Sequence, residues 1–274
     1  MALIDIGANL AHDSFDDDRQ AVLARAAEAG VTQMIVTGSD LDSNRRAMAL
    51  AAEHPGRCFA TAGLHPHHAN DWNAELAGVI RTGAAEGAIR AVGEAGLDYF
   101  RDISPRQAQQ DAFAEQLAIA AEYQLPVFLH QRDAHADFIA ILREHLPSLP
   151  RAVVHCFTEG RDMLADYLAE DLYIGVTGWI CDERRGAAVY EAVADVPEQR
   201  LMIETDCPYL LPRTIRPRPK SRRNEPAYLP WVRDSVATAR GLTAEAVEHS
   251  TTETAQRFFA LQPAPTISAN DSGF

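Results

Sequence analysis

The chain is 274 residues long, a length that suits one α/β barrel of roughly 250 residues better than a string of small domains. Hydrophobic residues make up 47% and charged residues 23%, as in an ordinary globular protein, and no run approaches the roughly 18 apolar residues of a membrane-spanning helix, so none is expected. A net charge of −14 excludes a protein that coats nucleic acid with its whole surface, but leaves room for one local basic groove.

In chain order, short apolar or β-branched runs alternate with Ala-rich stretches of helical period. The opening MALIDIGANL places Asp5 inside the first short apolar run and carries no basic leader, so a cytoplasmic protein is expected. Strands are predicted at Leu3–Ile6, Gln33–Thr37, Cys58–Ala62, Ile89–Val92, Pro126–Leu129, Ala152–Val154, Tyr173–Val176 and Leu201–Ile203. Helices are predicted between them, among others at Asp18–Ala29, Arg106–Tyr123 and Ala134–His145. Pro105 suits a helix start, and Phe113, Leu117 and Ala120 share one face. Eight strands separated by helices imply a parallel sheet, most simply closed as a TIM-type (β/α)8 barrel, with an open doubly wound sheet as the alternative. The expected layout is a single domain over 1–262 and a loose Pro/Ser/Gly-rich tail over 263–274. The Pro-rich segment 208–226 reads as a long loop after the last strand. Cys58, Cys156, Cys181 and Cys207 lack metal or redox spacing and read as reduced thiols.

Ionisable residues follow the strand runs. Glu94, His130 and His155 end three of them, and Glu204 and Asp206 end the last. All C-terminal strand ends of a barrel open onto one face, so these side chains converge there. Imidazoles and carboxylates on one rim suit a divalent cation such as zinc, manganese or iron, and an oxygen-rich set suits magnesium. His65, in Gly63-Leu-His-Pro-His after the third strand, could meet a substrate phosphate or protonate a leaving oxygen, whereas His67 and His68 read as solvent-exposed loop histidines. Residues 213–223, RTIRPRPKSRR, concentrate positive charge at Arg213, Arg216, Arg218, Lys220, Arg222 and Arg223, and Lys220 is the only lysine in the chain.

Eight motifs in order carry a family resemblance: DIGANL at 5–10, AGLHPH at 62–67, VGEAGLDY at 92–99, PVFLHQRDAH at 126–135, HCFTEG at 155–160, YIGVTGWICDERRG at 173–186, IETDCPYLLP at 203–212 and SRRNEPAYLP at 221–230. Across residues 3–260 the chain resembles the TatD deoxyribonucleases of the metal-dependent hydrolase superfamily. The resemblance implies metal ligation by Glu94, His130, His155 and Asp206, with Asp206 as base for the attacking water and Glu204 as a supporting carboxylate. It implies phosphate contact by Arg132 and nucleic-acid contact by Arg223 and Asn224, with Glu225 and Pro226 as loop and helix-start residues. It further implies a magnesium-dependent enzyme (manganese or zinc being alternatives) that trims single-stranded DNA ends from 3′ to 5′, in DNA repair, with no membrane and no obligate protein partner. One departure stands out. Many relatives carry Asp-x-His-x-His after the first strand, where this chain has Asp5, Gly7 and Asn9. One firmly held metal is therefore expected, with a second recruited by substrate phosphate. The residues alone also leave open an amide- or ester-cleaving hydrolase on the same scaffold, or a binding protein with a degenerate site.

Overall fold

The structure is a computed structural model and describes residues 2–263. Its eight strands are β1 (Leu3–Ala8), β2 (Val31–Val36), β3 (Cys58–Ala62), β4 (Ile89–Asp98), β5 (Val127–Arg132), β6 (Ala152–Val154), β7 (Tyr173–Val176) and β8 (Leu201–Ile203). They lie in one sheet in sequence order, each pair parallel. The main chain beyond β8 brings the two edges together: Asp206 N–H donates to Gly7 O at 2.8 Å and Asn9 N–H to Cys207 O at 2.9 Å. The result is the expected TIM-type barrel, nearly closed. Around it run α1 (Arg19–Glu28), α2 (Leu41–Glu53), α3 (Ala74–Ala85), α4 (Arg106–Tyr123), α5 (His135–His145), α6 (Arg161–Ala169), α7 (Ala187–Ala192), α8 (Leu229–Arg240) and α9 (Ala244–Phe259). Residues 264–274 of the expected tail lie outside the described residues.

The sequence explains these elements locally. Asp40 and Ser43 close a reciprocal capping box on α2, and Asn73 and Thr243 accept the first free amides of α3 and α9. Buried Phe113, Leu117 and Ala120 fix the inner face of α4. Two apolar layers result. One fills the space between strands and helices. The other fills the barrel itself with Ile4, Ile6, Ile35, Ala91, Phe128, Val153 and Met202, on which Phe258 and Phe259 of α9 pack. Helix α9 covers the end where the strands begin: Arg151, just before β6, donates to Arg257 O at 2.8 Å, and Ala2, just before β1, donates to Glu248 at 2.9 Å. The opposite end, where the strands finish, carries the polar residues.

Several strands run further than their apolar runs suggest. The apolar run of β4 stops at Val92 but the strand continues to Asp98, so Glu94 lies inside a strand rather than after it. β5 likewise runs through His130 to Arg132. The extension of β4 depends on glycine. Gly93 and Gly96 have φ of 141° and 149°, a region that side-chain-bearing residues rarely adopt. A Cβ on Gly96 would land on the His130 carbonyl oxygen, and one on Gly93 on that of Phe128. Glycine thus lets β4 press against β5 where both carry site residues.

Candidate active site

Glu94 is the hub of the polar cluster. Its Oε1 receives His130 Nδ1 at 2.9 Å, His155 Nε2 at 2.9 Å and His65 Nε2 at 3.3 Å. These side chains come from β4, β5, the residue after β6 and the loop after β3, so the barrel does what the sequence pattern anticipated. Donor atoms of His65, Glu94 and His130 all lie within 4.8 Å of one another. Three imidazoles around one carboxylate form a donor set that suits a borderline divalent cation. One further observation fits. His130 Nε2 is buried with no hydrogen-bond partner, and the closest carboxylate oxygen, Asp98 Oδ2, stands 3.5 Å away. A buried nitrogen left unbonded costs stability unless something else satisfies it.

The electrostatics follow from this crowding. Burial pushes Glu94 up, but His155 and His65 beside it, with hydrogen bonds from His130 and His155, hold it well below the usual carboxylate range. His155 is drawn down by burial and, more strongly, up by Glu94 and Glu204, ending well above an ordinary histidine. His65, farther from the shared oxygen, loses to burial and falls to about 4. A neutral His65 keeps a lone pair for ligation or proton transfer.

Asp206 stands apart from the Glu94 hydrogen bonds. Its Oδ1 accepts from Asn9 Nδ2 at 2.9 Å. Burial pushes its carboxyl up to about 7, against the pull of His155. Of the ligand set expected from sequence, then, Glu94, His130 and His155 are joined by hydrogen bonds, His65 joins them, and Asp206 sits at a separate pole with Asn9.

Glu204 is fully buried. Its Oε1 accepts the Cys156 N–H at 2.5 Å and its Oε2 lies 3.4 Å from His155 Nδ1. A carboxylate on the far nitrogen of a histidine fixes that ring's tautomer and direction. Glu204 is thus placed to hold His155, in keeping with the supporting carboxylate expected from sequence. Two glycines make room for it: a Cβ on Gly7 would overlap Glu204 Oε2, and one on Gly175 would come within 2.8 Å of Oε1. The space that a side chain at position 7 would enter is filled by this carboxylate.

Other expectations change. Asn224 is fully buried; its Nδ2 donates to Thr205 O at 2.9 Å and its Oδ1 accepts from Glu225 N at 3.0 Å. It cannot reach nucleic acid from there. Arg223 makes two hydrogen bonds to Asp18, at 2.8 and 2.7 Å, and lies over the Phe15 ring. Glu225 is not simply a loop residue, since it pairs with Arg25 at 2.6 Å. The NEP segment is thus a latch that ties the long loop after β8 to α1. Arg132 keeps its rim position, with its guanidinium 4.1 Å from the Phe100 ring centroid. His67, expected to be a solvent-exposed loop histidine, instead pairs with Asp98 at 2.8 Å.

Sequence reasoning missed Asp98 and noted Asp5 without giving it a role. Asp98 is buried at the end of β4, two positions of the same pleat from Glu94, and the alternation 94, 96, 98 was the available signal. Asp5 accepts from Gly7 N, Thr205 N and Thr205 Oγ1, at 3.2, 2.9 and 2.5 Å, and so clamps β1 to the end of β8. Its place inside an apolar strand run was the available signal.

Against known proteins, the family model described as TatD related DNase matches residues 4–260. The chain belongs to the TatD DNase family. Among its TatD relatives, proteins named 3′-5′ ssDNA/RNA exonuclease TatD from Pantoea vagans and Dickeya dadantii are each 49% identical to it. The alignments cover 94% of this chain in both cases, and 100% and 97% of the respective relatives. A solved TatD homologue from Escherichia coli K12 superposes with a TM-score of 0.86 at 28% identity, covering 95% of this chain and 98% of that one. As a TatD protein the chain is a metal-dependent hydrolase of phosphodiester bonds, a nuclease. Among the described residues, no helix is long and apolar enough to cross a membrane.

Proposed function

We propose that this TatD protein is a 3′-5′ exonuclease of single-stranded DNA and RNA ends that works with magnesium or manganese. The observation that carries the reading is the convergence of His65, His130 and His155 on Glu94 Oε1 at the open end of the barrel. Glu94, His130 and His155 would hold one divalent ion, with Asp206 and Asn9 offering the oxygen-rich pole. Bound there, the ion would supply a Lewis acid for a phosphate oxygen and a more acidic water.

The protein's own groups complete the chemistry. Asp206, beside Asn9 at the oxygen-rich pole, would accept a proton from the attacking water. His65 faces the same space and would meet the phosphate or the leaving oxygen. Glu204 holds the His155 ring through its second nitrogen. Arg132 adds positive charge at the rim. A cavity of about 610 Å³ on the flank of the mouth is lined by Arg184, Arg213, Arg216 and Arg218 beside Asp182 and Glu183. Arg213 is half-committed to Asp182 at 3.2 Å. The other arginines there would track the phosphates of a strand whose end lies in the barrel. The names of the relatives favour this over an aminoacyl or other amide substrate, and widen the expected substrate from DNA to RNA. The test is to incubate the purified protein with end-labelled single-stranded DNA, duplex DNA and RNA across a metal panel. Stepwise loss from the 3′ end of single strands, abolished by chelator, is expected. Metal-independent or duplex-only cleavage would overturn it.

A further inference from the structure

The mouth of the barrel carries two aromatic rings that burial has not claimed. Phe100 is 55% exposed and Tyr209 54%. Most surface positions of a folded domain do not hold a phenylalanine at such exposure, because covering the ring would stabilise the fold. Both rings sit where the catalytic strands end. Phe100 lies two residues beyond Asp98 on β4. Tyr209 follows β8, and its backbone N–H donates to the Asp206 carbonyl at 3.0 Å. In an eight-stranded barrel ordered β1 to β8, strands β4 and β8 face each other across the axis. The two rings therefore stand over opposite sides of the barrel mouth, to which the Glu94 cluster opens, and a docked protein could not cover both without sealing the site.

Each ring is propped from within the protein. The Arg132 guanidinium stands 4.1 Å from the Phe100 centroid and that of Arg101 6.0 Å. His12 meets Tyr209 at a centroid distance of 5.9 Å and an interplanar angle of 85°. A flat partner with a π-face matches a propped, exposed ring, and at Phe100 the two guanidiniums also suit an anionic chain. Resting on the exonuclease reading above, we infer that Phe100 and Tyr209 are stacking platforms for unpaired nucleobases on either side of the scissile bond. Bases in duplex are already stacked on their neighbours and cannot use them, so the platforms select single strands while remaining indifferent to sequence.

The experiment is a binding comparison in chelator, so that no turnover is needed. Fluorescence anisotropy measures affinity for a labelled single-stranded oligonucleotide and for an abasic strand of the same length. Phe100→Ala and Tyr209→Ala should each weaken the base-bearing strand by roughly tenfold, the order expected from loss of one stacked base. The abasic strand should change less than about twofold, because phosphate contacts dominate there, and Phe100→Trp should restore binding. Both positions are exposed, and thermal unfolding of each variant confirms an intact barrel. In turnover, the loss should fall on KM and leave kcat. Unchanged affinity for the base-bearing strand, or an equal loss on the abasic strand, would overturn the stacking role. A wild-type protein that binds single strands with these ring dependences but never hydrolyses them would sink the exonuclease reading instead.

Discussion

Asn224 tests whether the latch of the long loop is structural or a nucleic-acid contact. Replacing it by alanine removes two side-chain hydrogen bonds, to Thr205 O and from Glu225 N, at 2.9 and 3.0 Å. Thr205 is fully buried, so its carbonyl would be left without that partner in a site water does not reach. A stranded buried group costs about 1–3 kcal/mol, and the missing bond from Glu225, at a nearly buried residue, adds about 1 kcal/mol. Asn224→Ala should therefore destabilise by about 3 kcal/mol, equivalent to a drop in Tm of roughly 6–12 °C for a domain of this size. Asn224→Asp keeps the acceptor for Glu225 but sets a carboxylate against the Thr205 carbonyl, so it should not rescue. Thermal unfolding and denaturant titration read the loss. The affinity for single-stranded DNA, measured well below the new midpoint, should be unchanged, because the Asn224 side chain is fully buried. An unchanged Tm with weakened binding would refute the latch and return Asn224 to the substrate.

Gly96→Ala should destabilise by roughly 3 kcal/mol or more, read by denaturant unfolding, since a φ of 149° and the His130 carbonyl both oppose a side chain there; wild-type stability would show that β4 can retreat from β5. Asp5 gives a pH signature. Its carboxyl is pushed up to about 7 from 3.8 chiefly by burial, so its contribution to stability is complete below about pH 4 and lost as pH rises through 7. The stability of wild type minus that of Asp5→Asn should fall by at most about 4 kcal/mol over that window, and a flat difference would show that Asp5 is ionised throughout. Replacing Arg216, Arg218, Lys220 and Arg222 by glutamine should weaken binding to all sequences alike and reduce the salt slope by about one for each phosphate no longer neutralised; an unaltered slope would mark the segment as a merely solvated loop.

The barrel was legible because its signal is repetitive. Apolar runs such as Ala152–Val154, Tyr173–Val176 and Leu201–Ile203 appear as strands with the expected bounds. Glu94, His130 and His155 could be picked out for the same reason, as ligand-type residues that follow apolar runs, and the barrel brings them together. Where strands carry polar residues, the apolar pattern stops before the hydrogen-bonded ladder does, which is why β4 looked shorter than it is and Asp98 escaped notice. Asn224 was misplaced because a polar residue in a basic loop looks solvent-facing until the loop's path is known. Glu204 could be seen in the sequence, but not the two glycines, Gly7 and Gly175, that clear its pocket from across the barrel. His67 illustrates the same limit, since its partner Asp98 comes from another strand.

The proposed divalent ion lies in the Glu94 cluster at the open end of the barrel. The most direct measurement is anomalous diffraction from crystals soaked in manganese. One peak is predicted at roughly 2.0–2.4 Å from Glu94, His130 and His155, with His130 and His155 drawn away from their present hydrogen bonds to Glu94 Oε1. Crystals of catalytically active protein that show no peak there, with the histidine–Glu94 hydrogen bonds intact, would contradict it.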